Sequence, residues 1–365
     1  MTQHVLVIGG GQNAEHEVSL DTAAAVTDAL RSRGFEVSGI TIGRDGLWRH
    51  GAKPLGTTAA ASLAAALPIL AQADVVFPAV HGPIGEDGTL AALCALTQKP
   101  VVGSGLRAGA VGMDKWVTKL VAEAVGVRVA PGRLVRATEI GDVEFETEVV
   151  VKPVSAGSSY GVTLVRDACR LDEALRTASR YDNRILVEDV IHGREIDVAV
   201  LREADGSRWA APPLEIHTSG VFGTADKYDG TARFTVPADL GNADRTAITL
   251  AALAMFDALD CSGVARVDFF LTEDGPVLNE VNTMPGMTAE SQVPRMFAAA
   301  GVPYEELVAR LVGASSEPPP TRPGAALERV SSRAAMGRSA GRAADRESTT
   351  WPRTSGPGTG LHHRR

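Results

Sequence analysis

The sequence predicts an α/β protein, and three observations lead to this fold class. The chain has 365 residues, which is enough to divide into two or three domains with sizeable cores. Over residues 1–103, short apolar runs alternate with segments of helical character, as in a parallel sheet with helical crossovers. Later in the chain, two apolar runs flank the turn-forming sequence EDGP, which is typical of an antiparallel hairpin.

The expected elements of the N-terminal part are defined by apolar runs and by the glycines that end them. In order they are a strand (4–10), a helix (21–34), a second strand (35–42), a third strand (74–80), a glycine-rich loop (81–88) and a helix (89–99). Because strands and helices alternate, we expect these strands to pair in parallel.

From residue 104 onward the pattern changes. The expected elements are a helix (112–126), a strand (148–154), a glycine-serine loop (155–161), a short strand (162–165), a helix (170–181), a strand (184–191) and a strand (194–202) that pairs with the hairpin. The segment 314–365 is rich in Pro, Gly, Ser, Ala and Arg and lacks hydrophobic periodicity. Because such a segment cannot bury enough apolar area to offset its chain entropy, we expect a disordered tail.

The composition excludes two broad classes of partner. The formal net charge of −8 at neutral pH argues against a general nucleic-acid binder. The alanine-rich stretch 59–73 is interrupted by Pro68 and is too short to span a membrane. The N-terminus also lacks the basic region and the long apolar run of a secretory signal. We therefore expect a cytoplasmic protein that binds neither nucleic acid nor membrane.

The hairpin carries the clearest chemical signal. If EDGP is the turn, Asp268 faces Glu280 and Arg266 faces Asn282, and all four side chains project from one face of the sheet. Opposed carboxylates repel each other, whereas Mg²⁺ between them would reverse that effect, because it prefers oxygen ligands. The alternative is a solvated polar face on which Arg266 balances the acids. Gly286 in the following turn favours a ligand site, because glycine lets the backbone approach closely.

Two lysines stand where a phosphate could bind. Lys152 ends an apolar strand and precedes the loop 155–161, whose small residues can wrap phosphate oxygens. Lys115 lies near the start of a helix, where its charge opposes the helix dipole, so a role in solubility alone is less natural. Glu188 ends a buried strand and Glu195 follows; a strand edge with one acid is a common way to recognise a purine base, although this pattern alone is weak evidence.

The N-terminal glycines leave an alternative open. Gly9, Gly11 and Ala14 fit the dinucleotide fingerprint G-x-G-x-x-A, which favours an NAD-linked oxidoreductase. However, Glu15 and Glu17 lie where a pyrophosphate would meet repulsion, and a charged amine fits better there.

Two further features have ordinary structural interpretations when taken alone. His81 follows an apolar strand, and a histidine there is more often structural than catalytic. Lys227 and Tyr228 lie together in a loop, where such a pair is incidental unless the loop closes over a site.

Taken in order, these motifs resemble the D-alanine–D-alanine ligases of the ATP-grasp superfamily. The resemblance covers roughly residues 4–312 and includes the following motifs: GGGQNAEHEVSL, HGPIGEDGTL, MDK, VVKP with GSSYGV, LVED with GRE, DKY, ARVDFFL and NEVNTMPGMT. It implies three α/β domains followed by the tail: an N-terminal substrate-binding domain (1–103), a central ATP-grasp domain (104–187), a C-terminal ATP-grasp domain (188–313) and the segment 314–365. ATP would lie between the central and C-terminal domains, and the resemblance also implies a homodimer.

The resemblance assigns residues to ATP and to two Mg²⁺ ions, for which Mn²⁺ can substitute. Asp268, Glu280 and Asn282 would hold the metal ions. The nucleotide would be bound by Lys115, Lys152, Ser159, Glu188, Glu195 and Lys227. Of these, the three lysines and the serine would contact phosphate groups, while the two glutamates would meet the adenine and the ribose.

Other residues are assigned to the two D-alanine substrates. Glu15 would hold the ammonium group of the first D-alanine, with His81 near its carboxylate, and Ser291 would bind the carboxylate of the second. Glu15, Ser158 and Tyr228 match a hydrogen-bonded trio that latches a mobile loop over the site.

The implied reaction explains why these groups are needed. The γ-phosphoryl group of ATP would convert the first D-alanine into an acyl phosphate, which the amine of the second attacks. Arg266 and the N–H of Gly286 would stabilise the oxyanion that forms, and the closed loop would keep water from the acyl phosphate. The alternative to an enzyme is a module that binds the nucleotide without catalysing a reaction.

The sequence says least about the acceptor, which is the second substrate that attacks the acyl phosphate. Three positions depart from the commonest family pattern, namely Ala156, Asp189 and Met284. The loop around GSSYG and the NEVNTMPG motif are similar to the vancomycin-resistance branch, which makes D-alanyl-D-lactate. The Lys227–Tyr228 pair points back to the dipeptide, while Gln292 after Ser291 leaves D-lactate, D-serine or a secondary-metabolite amino acid open as acceptors.

Overall fold

The computed structural model describes residues 3–217 and 233–315, and the strands in these residues form three sheets. The loop that carries Lys227 and Tyr228 lies outside the described residues, and so does nearly all of the predicted tail, 314–365. Within the described ranges, no helix combines the length and apolar character needed to cross a bilayer.

The first sheet confirms the parallel arrangement expected near the N-terminus. Its strands, in the spatial order β4-β3-β2-β1-β5, are β1 (His4–Gly10), β2 (Glu36–Ile42), β3 (Trp48–His50), β4 (Lys53–Pro54) and β5 (Val75–Pro78). β1 pairs in parallel with β2 and β5, and the short β3 and β4 extend one edge in antiparallel fashion. The helices that follow these strands are α1 (His16–Ser32), α2 (Ala59–Gln72) and α3 (Thr89–Leu96).

Helix α1 begins at His16 rather than at residue 21, where the apolar pattern starts. Its first turns carry polar side chains that are nevertheless buried, among them Ser19 and Thr22. Ser19 accepts a hydrogen bond from the backbone N–H of His81, and Thr22 contacts the imidazole of the same residue. The helix start was missed because these positions are buried by polar contacts, which a hydrophobic pattern does not register.

The second sheet is antiparallel and is covered by one helix. Its strands, in the order β7-β10-β8-β9, are β7 (Gly132–Arg136), β8 (Val149–Pro153), β9 (Thr163–Val165) and β10 (Arg184–Asp189). Helix α6 (Leu171–Ala178) packs on it through a cluster of buried aliphatic residues. Two single 3₁₀ turns, Ala137–Glu139 and Ala168–Arg170, lie in the connections. The loop 155–161 joins β8 to β9, so the sheet holds both ends of the glycine-serine loop.

The third sheet contains the predicted hairpin. Its strands are β6 (Arg128–Val129), β11 (Arg194–Arg202), β12 (Arg208–Ala210), β13 (Leu214–His217), β14 (Arg233–Thr235), β15 (Val264–Thr272) and β16 (Gly275–Asn282). β11 pairs antiparallel with β15, as predicted. The remaining described helices are α4 (Leu106–Met113), α5 (Lys115–Ala124), α7 (Asn242–Ala258), α8 (Gln292–Ala299) and α9 (Tyr304–Gly313). Since α4, α5 and α7 share one buried cluster with this sheet, residues 106–124 pack on it. The domain boundaries at residues 103, 187 and 313 stay predictions.

The register of the β15–β16 hairpin is the one predicted at its polar end. Asp268 pairs with Glu280, and Arg266 pairs with Asn282. The turn is shorter than expected, because Thr272 already pairs with Gly275, and a β-bulge between Asp268 and Phe269 compensates for the difference. A two-residue turn shifts the outer ladder by one position, and the bulge restores the register that opposes the two acids.

Candidate active site

A cleft of about 550 Å³ opens between the second and third sheets. Its walls come mainly from β8 and β10 on one side and from β11, β15 and β16 on the other. Most of the residues predicted to bind nucleotide and metal line it together: Lys115, Lys152, Ser159, Glu188, Glu195, Asp268 and Glu280. Arg266, predicted to stabilise the oxyanion, lines it as well, whereas the predicted metal ligand Asn282 does not. Residues that are far apart in the sequence are therefore gathered around one volume.

A buried cluster of three charges forms the inner wall of this cleft. The carboxylate of Glu188 contacts Lys152 Nζ at 2.5 Å and Lys119 Nζ at 2.6 Å, and all three side chains are buried. Burial alone would raise the pKa of Glu188, but Lys152 and Lys119 outweigh it and hold that pKa below its usual value. Burial lowers the pKa of Lys119 to about 8, against the opposing effect of Glu188.

Lys119 is a cleft residue that the motif analysis missed. It lies one turn after Lys115 on α5, and residues four apart share one face of a helix. That spacing was the signal in the sequence that could have indicated a second lysine in the cleft.

Lys115 is placed by the break between α4 and α5. The sequence predicted one continuous helix there, but Asp114 caps α5 by accepting a hydrogen bond from the N–H of Val117 at 2.9 Å, which makes Lys115 the first residue of α5. Its Nζ lies 3.2 Å from Glu280 Oε2 and donates to the carbonyl of Ala156 at 2.8 Å. One lysine therefore connects α5, β16 and the glycine-serine loop.

The opposed acids of the hairpin are each matched by a cation. Arg266 binds Asp268 through two hydrogen bonds, Nε to Oδ1 at 2.7 Å and Nη2 to Oδ2 at 2.8 Å. The amide nitrogen of Asn282 also donates to Asp268 Oδ2 at 2.9 Å, while Glu280 pairs with Lys115. The alternative of a solvated polar face is wrong, because Asp268 is buried. Arg266 nevertheless balances one of the two acids, as that alternative assumed.

The donor set at this point suits a hard divalent cation. Asp268 and Glu280 place carboxylates at paired positions of adjacent strands, and Asn282 adds an amide oxygen two residues further along. Across residues 3–217 and 233–315, this site included, no group of three or more His, Cys, Asp or Glu side chains is arranged to hold a metal ion; here two carboxylates are joined by an amide. The residues present therefore fit Mg²⁺ by the chemistry of their donors.

Arg266 has two further partners that were not predicted as site residues. Its Nη1 donates to Gln292 Oε1 at 2.7 Å, and its Nε lies 3.3 Å from an oxygen of the fully buried Asp197. Burial would lower the pKa of Arg266, but Asp268 and Asp197 more than reverse this and raise it. The guanidinium is therefore permanently charged and held on several sides.

Glu15 joins the N-terminal part of the chain to the glycine-serine loop. Ser158 donates a short hydrogen bond from its hydroxyl to Glu15 Oε1. Ser158 and Ser159 both have positive φ angles, 48° and 58°, which is an uncommon conformation outside glycine. Space around the carboxylate is tight, since a Cβ on Gly82 would lie 2.7 Å from Glu15 Oε2 and one on Gly157 would lie 3.0 Å away.

His81 is buried beside this carboxylate, but it does not line the main cleft. It lines a small cavity of about 30 Å³, and its imidazole contacts Thr22 Oγ1 at 3.0 Å and Glu86 at 3.8 Å. Burial on its own would lower the pKa of His81, but the negative charges of Glu86 and Glu15 exceed that effect, so the pKa is raised.

Ser291 and Gly286 lie next to each other at the start of α8. Ser291 Oγ accepts a hydrogen bond from the N–H of Thr288 at 3.1 Å, and a Cβ on Gly286 would lie 3.1 Å from the same oxygen. Neither residue lines the main cleft, although the adjacent Gln292 does. Tyr228 and Lys227, the remaining predicted site residues, are outside the described part of the chain.

Two family models match this chain, and between them they leave residues 105–136, which include α4 and α5, unmatched. The model described as D-ala D-ala ligase N-terminus matches residues 4–104, and the model described as D-ala D-ala ligase C-terminus matches residues 137–313.

Curated relatives and solved structures agree with the family models. D-alanine--D-alanine ligases of Mycobacterium avium (strain 104) and of Streptomyces coelicolor are each 39% identical to this chain; the alignments cover 84% and 86% of the chain and 95% and 93% of the relatives. The VanG D-Ala:D-Ser ligase of Enterococcus faecalis superposes with a TM-score of 0.74 at 30% identity, over 86% of this chain and 99% of that one. The D-alanine--D-alanine ligase of Bacillus anthracis, complexed with ATP, gives 0.70 at 26% identity, over 86% and 97%.

Proposed function

This chain belongs to the D-alanine–D-alanine ligase family, and we propose on that premise that it uses ATP to join two D-alanines into D-alanyl-D-alanine for peptidoglycan synthesis. The observation that carries the proposal is the cleft between the second and third sheets. There Lys115, Lys152 and Glu188 lie across from Asp268 and Glu280. Lysines suit the phosphate groups of a nucleotide, and the opposing acids suit the metal ions that accompany it.

We assign the nucleotide to the inner part of this cleft. Lys115, Lys152 and Ser159 would contact phosphate oxygens, because all three line the volume beside the glycine-serine loop. Glu188 would meet the adenine, and Glu195, at the start of β11, would meet the ribose. ATP would then compete with Glu188 for Lys152, so this lysine can change partner without leaving the cleft.

Asp268, Glu280 and Asn282 would hold Mg²⁺ or Mn²⁺. Such ions neutralise charge on transferring phosphoryl groups, which is the chemistry that the site requires of them. Between them the three residues supply four carboxylate oxygens and one amide oxygen, on adjacent strands of a rigid sheet.

The substrates would occupy the space between the N-terminal part of the chain and this cleft. Glu15, already tied to Ser158, would bind the ammonium group of the first D-alanine, and His81 would lie near its carboxylate. After phosphoryl transfer from ATP, the amine of the second D-alanine would attack the acyl phosphate, and phosphate would leave. Ser291 would bind the carboxylate of the second D-alanine.

Arg266 and the N–H of Gly286 would stabilise the oxyanion that forms during this attack. A fixed positive charge in a site that excludes water is effective there, because it needs no reorganisation as the negative charge develops. Tyr228 and Lys227 keep the roles given by family resemblance, as a latch residue and a phosphate ligand.

Product identification tests the proposal directly. The purified chain is given ATP, Mg²⁺ and D-alanine together with equal amounts of D-serine and D-lactate. Phosphate release is followed, and the products are identified by mass spectrometry. We expect D-alanyl-D-alanine as the main product and no reaction with L-alanine as the control. The absence of phosphate release with every D-amino acid would exclude the ligase. A product mixture dominated by D-alanyl-D-serine would show that D-serine is the preferred acceptor, as the name of the VanG D-Ala:D-Ser ligase states for that relative.

We also propose a cytoplasmic homodimer. ATP and D-amino acids are substrates of the cytoplasm, and the family resemblance implies a dimer. Light scattering on the purified protein tests the oligomeric state, where a mass of twice 38.1 kDa is expected and a mass of 38.1 kDa would contradict it. Cell fractionation with an antibody against the chain tests the compartment.

A further inference from the structure

The side chain of Gln292 bridges two charged groups beneath the hairpin. Its Oε1 accepts a hydrogen bond from Arg266 Nη1 at 2.7 Å, and its Nε2 donates to Asp197 Oδ2 at 2.9 Å. Arginine can only donate and an ionised carboxylate can only accept, so these partners allow one orientation of the amide. Arg266 Nε also lies 3.3 Å from Asp197, so each of the three side chains contacts the other two.

The identity of residue 292 matters for this arrangement. A cationic side chain there would repel Arg266, and an acidic one would repel Asp197. An apolar one would leave the fully buried Asp197 with one donor fewer. A carboxamide presents one acceptor and one donor on a planar group, which is what the gap between a guanidinium and a carboxylate requires.

These contacts also determine which N–H groups of Arg266 can reach a ligand. A guanidinium has five N–H groups, and three of them are directed to Asp268 and Gln292. Within the part of the chain that the structure describes, this leaves one N–H on each terminal nitrogen for a ligand. Because Asp268 lies on β15, Asp197 on β11 and Gln292 at the start of α8, the guanidinium is held from three separate elements.

We propose that Gln292 and Asp197 are positioning residues that hold Arg266 in the orientation needed to meet the oxyanion. The proposal rests on the function proposed above, in which Arg266 stabilises that charge. The sequence motifs linked Gln292 only to the choice of acceptor and gave Asp197 no role. Their effect depends on orientation, since a misplaced donor loses much of its value in the transition state while ground-state binding changes little.

A charge swap tests the pair. Gln292→Glu places a second carboxylate against Asp197, and we expect kcat to fall by roughly 10- to 100-fold, the range for a misoriented catalytic group. Adding Asp197→Asn restores a donor facing an acceptor and returns the local net charge to that of the parent. The double variant should therefore recover to within about fivefold of the parental kcat, as coupling between residues in contact requires.

Two further measurements separate positioning from a general effect on folding. The dissociation constant for ATP, measured by titration calorimetry, should change by less than about threefold, because the pair acts on the later step. Gln72→Glu makes the same change at an exposed glutamine at the end of α2 and should leave kcat unchanged. If Gln292→Glu does not fold, Gln292→Leu replaces it, with an expected loss in kcat of about tenfold.

The outcomes distinguish this proposal from the one on which it depends. An inactive parent protein would overturn the proposed function and the positioning role with it. An active parent whose Gln292→Glu variant keeps the parental kcat would overturn the positioning role alone. A double variant whose kcat is no higher than that of Gln292→Glu would also overturn the positioning role alone.

Discussion

Asp268 and Glu280 lie directly opposite each other in the β15–β16 ladder, yet a different cation neutralises each carboxylate. Arg266 binds Asp268 and Lys115 binds Glu280, so the repulsion between the acids is relieved by residues of the chain itself. A divalent ion bound to both acids would loosen their hold on these cations. We therefore expect metal binding to free Lys115 for phosphate, while Gln292 and Asp197 continue to hold Arg266 in place.

Replacing Asp268 by asparagine should remove most of the dependence on Mg²⁺. The change deletes one carboxylate of the proposed metal site, and losing a few kcal/mol of charge stabilisation corresponds to roughly a 100-fold lower kcat or more. Phosphate release is measured as a function of Mg²⁺ concentration. Asp274→Asn, in the exposed turn of the same hairpin, is the matched control and should behave like the parent. A normal Mg²⁺ response in Asp268→Asn would contradict the assignment of the metal site.

Replacing Lys119 by methionine should weaken ATP binding and destabilise the fold. Glu188 would keep Lys152 as its only described cationic partner, so this lysine would be drawn away from phosphate. We expect the free energy of unfolding to fall by roughly 1–3 kcal/mol, as for a buried charged group that loses a partner. Urea unfolding and ATP titration measure the two effects. Lys53→Met, at the exposed edge strand β4, is the control. Unchanged ATP affinity in Lys119→Met would exclude a role in the nucleotide site.

Replacing Gly82 by alanine should displace Glu15 and weaken the binding of D-alanine. The added Cβ would lie 2.7 Å from Glu15 Oε2, on a residue whose φ is +69°. Gly34→Ala is a close control, because its φ is +86° and no described heavy atom lies within 4 Å of its Cβ. Both variants carry the left-handed backbone cost of roughly 1–2 kcal/mol, but only Gly82→Ala should raise KM for D-alanine. Equal KM values in the two variants would show that Glu15 does not bind this substrate.

The contribution of His81 to stability should decrease as the pH rises. Its folded pKa is raised above the ordinary value of 6.5 by Glu86 and Glu15, against the effect of burial. A raised pKa stabilises the fold fully below pH 6.5, and this stabilisation is lost as the pH rises through the folded pKa. The difference in free energy of unfolding between the parent and His81→Gln should therefore be largest on the acidic side. His50→Gln, at an exposed position, provides the control. A difference that does not vary with pH would contradict the prediction.

Local patterns were sufficient for the polar end of the hairpin and for the parallel strands of the first sheet, although not for its short strands β3 and β4. Alternating strands and helices predicted the parallel pairing of β1 with β2 and β5, and the parity of Asp268 and Glu280 predicted that they face each other. The bulge beside Asp268 was not predictable, because it depends on where the neighbouring strands and α7 allow the ladder to bend.

The residues that were missed share one property. Lys119 and Asp197 are buried charges whose partners, Glu188 and Arg266, lie far away in the sequence. Neither residue belongs to a motif with fixed spacing, so only the packed structure identifies its partner. For Lys119, the helical spacing from Lys115 was a hint that the motif search did not use.

The sequence by itself determined the family, the α/β fold class and most of the nucleotide and metal residues that meet in the cleft, because motif spacing and strand periodicity are local properties of the chain. The tertiary structure alone decided which charges neutralise each other: Lys115 with Glu280, Lys119 and Lys152 with Glu188, and Gln292 between Arg266 and Asp197. The physical reason is that a buried charge must find a partner in space, and the partner is set by how the three sheets pack.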